Sequence, residues 1–292
     1  MEIVDLSENV LQHAAFFTGT NGNVMASPRL AVYVNDGRHH LTLQPPDTYD
    51  LITLEPPPIA AAGVASLYSR EFYQLVRSRL KAGGYITQWL PAYQVPAETT
   101  LAMVRAFIDV FPASVLLSGY RSELILMGAR GRTIEVDPIA VLTRMHATPA
   151  LQADLEHNFL GTLTDVIGTF VASADTLARA TTSTAAETDD HPVQEYAVQA
   201  RLRATRIPES LFNVDSLAAW CPKCFQGDQV IPVLQDLPGY LTILDRLYHS
   251  AVFLEPNHPA TQPLRLAGDH RVFATIERHP YLALLFSVRS RQ

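Results

Sequence analysis

The chain has 292 residues, 48% of them hydrophobic and 17% charged, with a formal net charge of −7. This composition suits a globular protein of one or two domains with a substantial core. With no Lys/Arg cluster to neutralise phosphates it excludes a nucleic-acid binder, and no apolar run reaches the roughly 20 residues that cross a bilayer. Met1 runs straight into an amphipathic pattern without a signal peptide, and two cysteines make no disulfide scaffold, so the expected address is cytoplasmic.

Ile3 and Val4 mark a strand ending on Asp5. Ser7 is a fitting N-cap, with Glu8 in the first turn of a helix carrying Val10, Leu11, Ala14, Ala15 and Phe17. Asn21-Gly22-Asn23 is a turn, and residues 30–34 form the next strand, ending on Asn35-Asp36-Gly37. Residues 49–54 read as a strand buried on both faces that ends on Glu55. Pro56, Pro57 and Pro58 stop any regular element there. Ala60 to Gly63 is small and flexible, and Ser69-Arg70-Glu71 begins a helix over residues 71–80 that Gly83-Gly84 ends. A strand over residues 85–90, a helix over 99–110 and two strands, 115–117 and 124–127, around Gly119 complete the first half.

Alternating strands and helices predict a mostly parallel sheet with helices on both faces. Asp5, Asp36 and Glu55 then end three strands along one rim, where open α/β sheets place their chemistry. One acid can accept hydrogen bonds from two ribose hydroxyls and another from the amine of adenine. The plainer reading of Glu55 is a polar residue at a strand end.

The segments EIVDLSENV, SPRLAVYVNDGRHHL, YDLITLEPPP, SLYSREFY, LKAGGYITQWLP and TDDHPVQEY together resemble the polyamine aminopropyltransferase family, the spermidine synthases and their bacterial spermidine-synthase-like relatives. The resemblance covers about residues 2–196. It implies the fold of class I S-adenosylmethionine-dependent enzymes and transfer of an aminopropyl group from decarboxylated S-adenosylmethionine to an amine, with no metal. By resemblance, Asp5 holds the ribose, Asp36 with Gly37 contacts adenine, and Glu55 helps deprotonate the amine. Tyr68 lies in the loop that closes over the substrate, and Gln88 lies near the substrate channel. A carboxylate beside the attacking amine suits the chemistry, and further carboxylates hold a polyamine cation.

Two departures qualify these implications. The family's Asp-Ser-Ser-Asp element is Glu55-Pro56-Pro57-Pro58, so the acid that grips a diamine is a proline. The glycine-rich first strand and turn expected before Glu2 is missing, so the chain is expected to be truncated at its N-terminus. Two central strands would then lose their neighbour. A non-catalytic nucleoside-binding or regulatory remnant, or a methyltransferase, are the alternatives to aminopropyl transfer. As partners the resemblance admits an amine or nucleoside, a membrane-embedded segment in longer relatives, and a homodimer.

The second half is helix-rich over residues 133–186. In Thr188-Asp189-Asp190-His191-Pro192, Asp189 or Asp190 supplies charge for a cationic substrate, or the segment is an N-cap and turn, which aspartate before proline suits better. The expected organisation is a Rossmann-like domain over residues 1–130, a helical completion over 131–205 and a helical extension over 206–292. Cys221 and Cys224 are open to three readings, as structural thiols, a metal pair or a redox pair. His249, His258 and His270 are the further ligands a zinc site would need. His39, His40 and His279 read as surface or capping residues.

Overall fold

The computed structural model describes residues 1–57, 61–197, 205–258 and 270–286. Pro58, Ala60 and the side chain of His270 lie outside the described residues. Strand β1 (Glu2–Asp5) leads into helix α1 (Glu8–His13), where Ser7 Oγ accepts the Val10 amide as the N-cap. Strand β2 (Ala31–Val34) pairs with β1 in parallel, Asp5 opposite Val34. Helix α2 (Gly37–Leu43) is capped by Asp36, whose side chain accepts the amide of His39. Strand β3 (Tyr49–Leu54) follows, then α3 (Arg70–Arg79), capped by Ser69 on the Phe72 amide. These caps satisfy amides that a helix start leaves without partners.

Strand β4 (Leu80–Leu90) begins directly at the end of α3, so Gly83-Gly84 lies within the strand rather than stopping the helix. Gly83 has φ +77, and any Cβ on Gly84 would sit 3.0 Å from the Lys81 carbonyl oxygen. Helix α4 (Ala97–Val110), β5 (Ser114–Ser118) and β6 (Leu124–Ala129) follow. After α5 (Pro138–Ala147), α6 (Pro149–His157) and α7 (Leu163–Ile167), a strand β7 (Phe170–Ser173) appears within the stretch expected to be helical.

The expected α/β class is observed, but the mostly parallel sheet is corrected. A five-stranded sheet has the order β3-β4-β6-β5-β7, and only β3–β4 is parallel. The tight connection from β5 to β6 imposes an antiparallel hairpin, which then sets the sense of its neighbours. Strands β1 and β2 form a separate two-stranded sheet. The break falls between β1 and β3, where a missing strand was expected, and neither facing edge has a strand partner among the described residues. The two sheets meet through side chains instead. Tyr49 Oη donates to Glu2 Oε2 at 2.5 Å, and His40 Nε2 lies 3.2 Å from the same oxygen. The Tyr49 hydroxyl holds the Glu2 carboxyl below its usual range.

The core lies under α3 and α4, with Phe72, Tyr73, Ile86, Leu90, Phe107 and Phe111 buried. It extends to Ile207, Leu211, Tyr240, Leu244 and Leu282, so the segment beyond Arg206 packs into the same cluster as the sheet. Helices α8 (Ala174–Ala180) and α9 (Val193–Ala197) come before that segment, and α10 (Leu237–Tyr248), α11 (His270–Arg278) and α12 (Pro280–Phe286) lie within it. Tyr281 Oη donates to Gly119 O at 2.6 Å and lies 2.8 Å from Ser118 Oγ, tying α12 to the β5–β6 hairpin. Among the described residues no helix is long and apolar enough to cross a membrane.

Cys221 and Cys224 form a disulfide with a Cα–Cα distance of 5.3 Å, and both are fully buried. The structural pair is therefore a bonded one rather than two thiols, and it offers no thiolate to a metal. His249 contacts Glu209 and Asp245, and no group of three metal-ligating side chains occurs among the described residues. His40 and His279 are buried rather than superficial.

Candidate active site

Glu55 follows β3 at its carboxyl end, exposed, and Pro56 and Pro57 after it lie outside any helix or strand. It lines a cavity of about 540 Å³ with Thr53, Thr87, Trp89, Tyr93, Tyr120 and Glu123. The alternation of β strands decides this membership. Thr53 Oγ1 accepts from Thr87 Oγ1 at 2.8 Å, which fixes that face of the β3–β4 pair toward the cavity, and Trp89 lies two residues further on. Glu123 comes from the β5–β6 turn and is held by two donors. The Trp89 indole Nε1 donates to its Oε2, and Tyr93 Oη donates to Oε1 at 2.8 Å. Burial, with a contribution from Glu123, raises the Tyr93 phenol, so it stays a donor.

Gln88 is fully buried on the opposite face of β4, in line with Ile86 and Leu90. Its Nε2 donates to Trp89 O at 3.3 Å, and its Oε1 has no partner. Tyr68 is also fully buried, its hydroxyl donating to the same carbonyl at 3.3 Å. Burial raises its phenol, and the charge of Glu55 adds to the rise. Tyr68 lies in the segment between β3 and α3, and its ring packs into the core with Phe72 and Tyr73.

Asp5 and Asp36 lie together at the carboxyl ends of β1 and β2, where the Asn35 amide donates to Asp5 O at 3.1 Å. Each acid spends one oxygen locally. Asp5 Oδ1 accepts the Ser7 amide at 2.7 Å, and Asp36 Oδ1 accepts the His39 amide at 2.7 Å. A Cβ on Gly37 would meet nothing within 4 Å. The expected convergence of three acids is thus divided. Asp5 and Asp36 share one rim, and Glu55 opens into a cavity that neither of them lines. The break between β1 and β3 separates the two groups.

Asp189 is engaged by Arg38. The guanidinium donates through Nη1 to Oδ1 at 2.7 Å and through Nη2 to Oδ2 at 2.5 Å, and this pairing lowers the Asp189 carboxyl and raises the guanidinium. Arg38 Nη1 also donates to Ser66 O at 2.9 Å. The Gly63 amide donates to Glu195 Oε1 at 2.8 Å, and the Asp189 amide to Glu71 Oε2 at 3.0 Å. The 187–195 segment therefore straps the loop that follows Glu55. The charge of Asp189 is spent inside the protein, a third role beyond the substrate contact and the turn cap.

No protein-family model matches the chain. Solved structures similar to it include a spermidine synthase from Thermotoga maritima, at 17% identity and TM-score 0.36, covering 44% of this chain and 45% of that one. A probable spermidine synthase from Corynebacterium glutamicum matches at 15% identity and TM-score 0.41, over 64% and 63% of the two chains. Human methyltransferase-like protein 13 in complex with SAH matches at 19% identity and TM-score 0.39, over 53% and 70%. The chain therefore spans less than two thirds of the length of either spermidine synthase.

Trp89, Tyr93, Tyr120 and Glu123 were missing from the sequence-derived site. The period of two along β4 carried part of the signal, since whichever face holds Thr53 and Glu55 must also hold Thr87 and Trp89 rather than Gln88. Nothing local marks Glu123. Its place follows from the antiparallel register that sets Leu90 opposite Leu124.

Proposed function

We propose that the protein is a transferase of the S-adenosylmethionine-related type that moves an aminopropyl group from decarboxylated S-adenosylmethionine to an amine. The observation that carries this reading is the cavity at the carboxyl end of β3, with Glu55 beside aromatic walls. Carboxyl ends of parallel strands are where such sheets bind ligands. Asp5 and Asp36 keep one carboxylate oxygen each for ribose hydroxyls or the adenine amine, and the open space beside Gly37 suits a close approach. In the reaction the amine nitrogen attacks the carbon next to the sulfonium. The new C–N bond forms as the C–S bond breaks, methylthioadenosine leaves, and the proton passes from the amine to Glu55.

The break between β1 and β3 favours a second reading, a nucleoside-binding module without transfer. Calorimetry with methylthioadenosine and decarboxylated S-adenosylmethionine, followed by assay of methylthioadenosine release with an amine present, separates the two. The transferase reading expects release that falls about 10²- to 10⁴-fold in Glu55→Gln, the usual range for a lost general base. Binding without release leaves the module. No binding of either nucleoside ends both readings.

A further inference from the structure

The 187–195 segment begins on a carboxyl that has little to hold its charge. Glu187 is fully buried, and its two oxygens share one donor, the Gln194 amide, at 3.3 Å from each. Gln194 is itself buried, with neither side-chain polar atom partnered. The backbone of Glu187 is pinned between two helices. Its amide donates to Ala102 O of α4 at 3.1 Å, and its carbonyl accepts the Arg70 amide of α3 at 2.9 Å. Neither helix pairs a cation with the carboxyl among the described residues, since Arg70 and Arg105 both pair with Asp109. From α3 it is faced by Tyr73, a fully buried phenol whose hydroxyl has no partner, and which burial, Tyr68 and Glu187 together raise. From α9 it is faced by Glu195, a group of the same charge.

A buried carboxylate with so few partners is costly, whereas the neutral acid is far less so. The contacts that hold the segment down are of a different kind. The Arg38–Asp189 fork and the bond from the Gly63 amide to Glu195 lie at the surface, where such contacts contribute little net stability. We propose that residues 187–195 form a pH-operated strap, closed over the loop after Glu55 while Glu187 is protonated and released when Glu187 ionises. Release hydrates the carboxylate, frees the Gly63 amide and takes Asp189 away from Arg38. The direction follows from burial, which pushes the carboxyl up from 4.5 to about 7 in the closed strap. In the released strap it returns to its ordinary range, so opening becomes more favourable as pH rises from 4.5 to about 7 and levels off above that. The device does not depend on which reaction the cavity beside Glu55 carries out.

Hydrogen–deuterium exchange of the full chain, corrected for the intrinsic pH dependence of amide exchange, reads this opening directly. Between pH 5 and pH 8 the opening of the strap should increase at least about 10-fold. Amides of β4 are the reference for global unfolding and should stay protected longer than those of the strap at both pH values. Glu187→Gln, which cannot ionise, should show the same strap exchange at both. Arg38→Gln removes the fork and leaves Glu187 in place, so it should raise strap exchange at both pH values and keep the increase between them. Equal corrected exchange at pH 5 and pH 8 in the wild type, an increase that persists in Glu187→Gln, loss of the increase in Arg38→Gln, or strap amides that exchange only together with those of β4 would each overturn the proposal. If Glu187→Gln does not fold, the contrast between strap and β4 in the wild type and in Arg38→Gln decides the outcome.

Discussion

Glu187 is fully buried, at the start of the strap over the loop after Glu55. Both its oxygens accept only the Gln194 amide, at 3.3 Å, and the Gln194 side chain has no partner for either polar atom. Burial therefore outweighs that one amide and pushes the carboxyl up to about 7, with a smaller push from Glu195. Between its ordinary value of 4.5 and about 7, the folded chain holds a proton that the unfolded chain has released. Stability from this group is thus fully present at low pH and is lost as pH rises through about 7, by on the order of 2–3 kcal/mol. Urea denaturation at pH 5 and pH 8 should show this loss in the wild type. Glu187→Gln, which cannot ionise, should remove that part of the pH dependence. Parallel profiles for the two proteins would mean that the carboxyl stays ionised when folded. The ion pair between Arg38 and Asp189 behaves differently, because both partners are solvent-accessible and a guanidinium fork matches a carboxylate.

At the scale of elements, the two facing edges of β1 and β3 set the main liability. Leu51 on β3 is 55% exposed, on the strand whose outer edge no other strand pairs among the described residues. Apolar side chains along open edges promote pairing between copies. Leu51→Lys should therefore reduce self-association in sedimentation velocity while changing unfolding free energy by no more than about 0.5 kcal/mol, as expected for an exposed position. Unchanged association would place the sticky surface elsewhere. Much at this level was legible in the sequence. Ser7 and Ser69 announced their helices, and the apolar run ending on Glu55 announced β3, because caps and strand ends are local signals, but β3 is not buried on both faces, since only Ile52 is buried and Leu51 is exposed. Asp5 and Asp36 were correctly placed at neighbouring strand ends for the same reason. Gln88, which the resemblance implies lies near a substrate channel, faces the core side of β4, and the phase of that strand is fixed only by a partner such as Thr53. Glu123 gave no signal, since its meeting with Trp89 depends on antiparallel pairing across a hairpin. The strand β7 was hidden among helical periodicities, being only four residues long. The bond between Cys221 and Cys224 could not be separated from thiol or metal readings, because spacing alone permits all three.

The whole molecule holds together through contacts between the sheet and the helices beyond Arg206, and Gly168 tests whether that packing is real. It follows α7, and a Cβ there would press on the Tyr240 ring of α10 and lie 2.8 Å from Thr164 O. Tyr240 is fully buried, so its ring has nowhere to swing, and the shared cluster runs from Leu116 and Val171 to Leu244 and Leu282. Gly168→Ala should therefore cost about 1–3 kcal/mol through overpacking, although its φ is ordinary. The cost should appear in one unfolding transition reported alike by Trp89, near Glu55, and Trp220, near the disulfide. Trimming the ring in Gly168→Ala/Tyr240→Leu should recover part of the loss, giving a coupling energy above about 0.5 kcal/mol in a double-mutant cycle. Additive effects, or two separate transitions of which only the Trp220 one shifts, would mean that the C-terminal helices form their own unit. Joint unfolding, in contrast, would show that the helices beyond Arg206 and the sheet are one cooperative unit.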